Sequence, residues 1–114
     1  MKTKLGVLAC VAAVVGVVAL PFQAAAQGFP SKPLRLVVPY ATGGATDIIA
    51  RAAAAEMTKA LGQTVVVENH PGAGANLGAE MVARAAPDGY TMLMSASSLH
   101  GINPVLFSKL SYDP

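Results

Sequence analysis

Leu34-Arg35-Leu36-Val37-Val38-Pro39-Tyr40-Ala41-Thr42-Gly43-Gly44-Ala45-Thr46-Asp47-Ile48-Ile49 is the stretch that decides the fold class. Leu34 to Val38 is apolar and β-branched apart from Arg35, and reads as a buried strand. Pro39 stops it, Gly43-Gly44 supplies a turn, and a helix opens at Ala45-Thr46-Asp47. The corner sets first-turn N–H groups, which lack a helical acceptor, beside glycines that let a ligand come close. That is the chemistry of an anion site. The same residues also suit a plain strand-to-helix turn with a capped helix, so the corner alone names a ligand class and nothing narrower.

The pattern continues on the C-terminal side. Thr46 to Leu61 reads as a helix, with Ile49, Ala53, Met57 and Ala60 along one face and an Asp47–Arg51 pair along another. Thr46 or Asp47 is expected to cap its start and Gly62 to end it. Thr64 to Glu68 reads as a second strand, Asn69 to Asn76 as a glycine-rich loop, and Leu77 to Ala86 as a second helix carrying a Glu80–Arg84 pair. Pro87-Asp88-Gly89 is a turn: Pro sets φ, Asp bonds locally, Gly accepts positive φ. Tyr90 to Ser95 reads as a third strand, Ser97 to Asn103 as a polar loop or helix start, and Pro104 to Leu110 as a short helix.

A β-α-β-α-β order with short connections implies a parallel α/β layer. Ligands of such sheets sit beyond the carboxyl ends of the strands. Tyr40–Asp47, Asn69–Asn76 and Ser95–Asn103 all fall there.

The N-terminal side sets the compartment. Lys2 and Lys4 precede an uncharged apolar run, Leu5 to Leu20; Pro21 follows, then Ala24-Ala25-Ala26. This is the layout of a secretory signal peptide over residues 1–26, cut near Ala26. The run is shorter than the roughly 18 apolar residues expected of a membrane span. Val7-Leu8-Ala9-Cys10 is a poor lipoprotein box, because cutting there leaves almost no hydrophobic segment. Without the leader the chain has no cysteine, which excludes disulfides and thiolate chemistry. Eight Lys and Arg against six Asp and Glu becomes six against six once Lys2 and Lys4 are gone. With no basic run left and few aromatics, a nucleic-acid footprint is absent.

Gly72-Ala73-Gly74-Ala75-Asn76-Leu77-Gly78 fails the dinucleotide fingerprint, which needs glycine where Leu77 stands. There is no Walker lysine and no histidine spacing suited to a metal, so no cofactor is expected. Ser97 with His100 would give a hydrolase-type pair, yet nothing like G-x-S-x-G surrounds it and no orienting acid is evident. Ser95, Ser97, Ser98, His100 and Asn103 form a polar strip at a strand's carboxyl end, suited to a carboxylate or carbonyl, or to solvent.

Taken in order, the residues resemble a family. The series runs from Phe29-Pro30-Ser31-Lys32-Pro33 through Pro39-Tyr40, Gly43-Gly44-Ala45-Thr46-Asp47, Leu61-Gly62-Gln63 and Val65-Val66-Val67-Glu68-Asn69. Pro71-Gly72-Ala73-Gly74, Gly78-Ala79-Glu80, Ala85-Ala86-Pro87-Asp88-Gly89-Tyr90 and Ile102-Asn103-Pro104 complete it. Each motif is weak; their order and spacing are specific. The chain resembles the N-terminal part of the substrate-binding proteins of tripartite tricarboxylate transporters, the Bug family of periplasmic receptors.

The resemblance implies a periplasmic binding protein type II-like α/β fold, of which residues 27–114 are part of the first lobe. It further implies binding and not catalysis, a small organic acid as ligand, and membrane permease subunits of the transporter as partners. The ligand-facing residues it implies are Tyr40, Gly43, Gly44, Ala45, Thr46 and Asp47 on one wall and Ser95, Ser97, His100 and Asn103 on another. Two departures from the family's pattern stand out: Thr42 stands where proline is usual, and the loop around Ser97 to Leu99 lacks the Gly or Thr usual there. The other readings are an exported α/β hydrolase using Ser97 and His100, or a nonfunctional truncated product.

Overall fold

The computed structural model describes residues 28–114, so the expected leader and its cleavage point lie outside the described residues. Strand β1 is Leu34–Val38, helix α1 Ala45–Leu61, strand β2 Val65–Asn69, helix α2 Asn76–Ala83, strand β3 Thr91–Leu93 and helix α3 Asn103–Leu106. A single turn over Ala73–Ala75 leads into α2, and a wide π-type turn over Ser98–Ile102 leads into α3. The sheet is parallel throughout, in the order β2-β1-β3. Leu34 pairs with Val65 and Val38 with Asn69 on one side of β1, and Arg35 with Thr91 on the other.

β1 is central because it is the most apolar of the three strands. Leu34, Leu36 and Val38 point to one face and join Ala50, Ala54 and Val65 in the larger core, with Met92 and Met94 of the β3 segment against it. A smaller core of Ala75, Ala79 and Leu99 takes Leu93 and Tyr40 on the other face. The chain therefore crosses from β1 to β2 under α1, then returns over β1 to β3 under α2. The crossover reverses at β1, which makes its carboxyl end a topological switch point, the place where open α/β sheets form a crevice.

Several sequence expectations shift. α1 begins at Ala45 and ends at Leu61, and Gly62 beyond it, with φ of 66°, makes the left-handed cap expected of it. Its buried face is not Ile49-Ala53-Met57-Ala60 but Asp47, Ala50 and Ala54, while Ile49 is 57% exposed. In a helix this rich in alanine two neighbouring stripes are equally apolar, and the narrower one wins because small side chains let it sit close to the sheet. Neither Thr46 nor Asp47 caps the helix; Gly44 occupies the N-cap without a side-chain bond.

β2 starts one residue later than expected. α2 begins at Asn76 and ends at Ala83, short of Ala86. Pro87 excludes a helical Ala86, and the last turn tightens through Ala85 N–H donating to the Val82 carbonyl at 3.0 Å. β3 is three residues long, extended on either side by single ladder bonds: Arg35 N–H to Tyr90 O and Met94 N–H to Val37 O, each 2.8 Å. α3 is confined to four residues starting one before Pro104.

One glycine is imposed by packing alone. A Cβ at Gly78 would lie 2.7 Å from Pro39 Cβ and 3.1 Å from the His70 carbonyl oxygen, so α2 can only meet the end of β1 through a glycine.

Candidate functional site

The switch point at the end of β1 is built from side chains that lock the corner in place. Asp47, only 2% exposed, accepts the Gly43 N–H at 2.8 Å and Arg51 Nε at 3.1 Å on one carboxylate oxygen. Its other oxygen accepts Asn69 Nδ2 at 2.9 Å. The same Asn69 nitrogen donates to the Tyr40 carbonyl at 3.1 Å, and Asn69 Oδ1 accepts Arg51 Nη2 at 3.0 Å. The Arg51 side chain, with the Gly43 N–H and the Asn69 amide, holds the Asp47 carboxyl down at about 2. Asp47 is thus an ion here, and one with both carboxylate oxygens already engaged in internal bonds.

That arrangement divides the corner. Gly43 donates inward to Asp47, and the Gly44 N–H makes a long 3.4 Å contact to the Ala41 carbonyl. The first helical bond inside α1 is Ile48 N–H to Gly44 O, at 3.0 Å. The N–H groups of Ala45, Thr46 and Asp47 precede it and point out of the helix end without a helical acceptor. The exposed backbone of Gly43, Gly44 and Ala45 and the half-buried Thr46 surround those donors.

The second wall is nearer than the sequence distance suggests. Tyr40 Oη and Ser98 Oγ share a hydrogen bond at 3.1 Å, which joins the loop after β1 to the turn after β3. Ser95 Oγ lies 2.9 Å from His100 Nε2, and both are near the surface. Ser97 is exposed. Asn103 behaves differently: it is 4% exposed, and its Nδ2 donates to the Gly74 carbonyl at 2.8 Å and to Asn76 Oδ1 at 2.7 Å. Tyr112 Oη donates to the same Asn76 oxygen at 2.7 Å. Asn103 therefore ties the glycine-rich loop to the α3 segment with its amide N–H groups directed inward.

Of the expected residues, Tyr40 to Thr46 and Ser95 to His100 gather at one edge of the sheet. Asp47 and Asn103 sit beneath that edge as its internal struts. Two contributors, Asn69 and Gly78, belong to the motifs quoted from the sequence but are not among its expected site residues. An asparagine before His-Pro-Gly looks like any loop residue, and a helical glycine looks like a propensity defect; only the tertiary neighbours distinguish them. Among the described residues no cluster of three His, Cys, Asp or Glu is placed to hold a metal. Among the described residues no carboxylate pairs with His100, whose Nε2 meets Ser95 Oγ. A 310 Å³ groove lined by Arg51, Thr58 and Val67 lies at the outer β2 edge, away from this surface, and is mostly open to solvent.

A parallel α/β layer with donors and hydroxyls collected at a switch point has the layout in which open α/β sheets bind ligands. The chain belongs to the tripartite tricarboxylate transporter receptor family, whose model matches residues 49–114. A protein of Cupriavidus necator from the gbd 5' region is 44% identical over 107 residues, covering 94% of this chain and 32% of that one. Among solved structures, MatC of Rhodopseudomonas palustris with bound malate has a TM-score of 0.67 and 46% identity. The R. palustris protein Rpa4515 with adipate has a TM-score of 0.72 and 36% identity. Each structure covers 75% of this chain, which in turn covers 29% of each. The chain spans about a third of the length of the curated relatives it matches. The family and these structures are substrate-binding receptors and not enzymes, so the hydrolase reading of Ser97 and His100 is replaced.

Proposed function

We propose that residues 27–114 are part of the first lobe of an exported, two-lobed receptor that captures a small carboxylate in the periplasm. On this reading residues 1–26 are the leader, removed near Ala26. The receptor delivers its ligand to the permease subunits of a tripartite transporter, a partnership supported by the family description alone. The ligand wall is the corner Tyr40, Gly43, Gly44, Ala45, Thr46 and Asp47. One carboxylate oxygen takes the outward N–H groups of Ala45 and Thr46, reinforced by the helix dipole. Ser95, Ser97 and His100 offer hydroxyl and imidazole donors from the second wall. Asp47 and Asn103 contribute by shape, because the Asp47 carboxylate and the Asn103 amide N–H groups already serve internal bonds.

The observation that carries this reading is the set of unpartnered first-turn N–H groups at the switch point, in a chain whose solved relatives hold malate and adipate. Isothermal titration of the complete gene product with malate, adipate and citrate tests the reading, with the dimethyl ester of malate as the uncharged control. Saturable heat with an acid and none with the ester supports it. A folded protein silent to all three acids contradicts it.

A further inference from the structure

We propose that Asn69 is the positioning residue of the corner, shaping the ligand loop through Tyr40 and Asp47 without touching the ligand. The inference rests on reading that corner as the carboxylate wall. Asn69 closes β2, opposite Val38 in the ladder, and the alternation of the strand points it toward α1 with Val65 and Val67. Its amide has one acceptor oxygen and two donor hydrogens. The oxygen takes Arg51; the nitrogen serves the Tyr40 carbonyl and Asp47. Those partners lie in the residue after Pro39, the first turn of α1 and its second turn, all distant from Asn69 in sequence.

The consequence is a loop fastened at both ends. Asn69 holds the Tyr40 carbonyl, and Asp47, itself held by Asn69, holds the Gly43 N–H. Only Ala41 and Thr42 lie between. A segment with two adjacent glycines is costly to order on its own, and a loop already ordered before the ligand arrives binds more tightly than one ordered by it. Aspartate in place of Asn69 has the right shape and no donor. Arg51, half exposed, completes the frame by bonding both Asp47 and Asn69.

The test uses the complete gene product, malate and adipate as probes, and the amide resonance of ¹⁵N-glycine-labelled Gly43. Asn69→Asp is expected to raise Kd at least tenfold and to move the Gly43 resonance. Arg51→Met, a change at a half-exposed side chain, is expected to raise Kd several-fold and to move the same resonance. Glu68→Gln, on the opposite face of β2, is expected to change neither. A folded Asn69→Asp with wild-type Kd overturns the proposal; if that variant does not fold, wild-type Kd in Arg51→Met does so. If the wild type binds neither acid, the carboxylate reading falls separately. The Gly43 resonance then decides: movement supports the positioning role, and an unmoved resonance in the folded variants overturns it.

Discussion

Replacing Gly78 by alanine separates packing from helix propensity by sign. Gly78 lies in the first turn of α2, where alanine favours the helix by up to about 1 kcal/mol. The added Cβ, however, would meet Pro39 Cβ at 2.7 Å, Pro39 Cα at 3.1 Å and the His70 carbonyl oxygen at 3.1 Å. Carbon atoms prefer about 3.5–4.0 Å, so the shortfall against Pro39 is about 0.8 Å or more. A proline ring and a backbone carbonyl cannot rotate away, and α2 must move as a body. Overpacking of this kind costs about 1–3 kcal/mol. With the propensity gain set against the upper part of that range, Gly78→Ala should destabilise by about 1–2 kcal/mol. Urea unfolding is the assay: the midpoint should drop by about 0.5 M with an unchanged slope. A midpoint that stays put or rises would refute the packing argument. The same displacement carries the Gly72–Ala75 loop away from Pro39, so ligand affinity should fall alongside stability.

Other outcomes follow from the same contacts. Gly62→Ala meets no neighbour within 4 Å but forces alanine to φ 66°, so it should cost about 1 kcal/mol through backbone strain alone, read from the same urea titration. Arg51, with the Gly43 N–H and Asn69, holds Asp47 at about 2, and Arg35, followed by His70, holds Glu68 at about 2. Unfolded carboxylates titrate near 4, so between about pH 4 and pH 2 the unfolded chain binds more protons, and stability present above that window is lost as pH falls through it. Thermal midpoints measured from pH 7 to 2 should show a plateau and then an acid decline, with a shallower decline in Asp47→Asn.

The sequence was most legible where punctuation is unambiguous. Leu34 to Val38 is bounded by Pro33 and Pro39, and the strand has those limits. Gly62 and Pro87-Asp88-Gly89 end their elements through backbone preferences that act locally; Gly89 has φ 80° and Asp88 accepts the Tyr90 N–H at 3.0 Å. The face of α1 was not legible, since alanines at positions 50, 53 and 54 give no contrast between adjacent stripes. At the site, the corner and the polar strip were visible as residue types. The roles within it were not: whether Asp47 faces a ligand or Gly43 depends on Asn69 and Arg51, which converge only after β2 aligns beside β1. Asn103 is legible only as a polar residue near the same edge, and the direction of its amide is set by Gly74 and Asn76.

The central claim, that the outward N–H groups opening α1 receive a carboxylate, is tested most directly by amide chemical shifts. With the complete gene product labelled at backbone nitrogen, malate titration should move the Gly44, Ala45 and Thr46 resonances saturably and together, with the affinity found by calorimetry. Tight malate binding with those three resonances unmoved would contradict it.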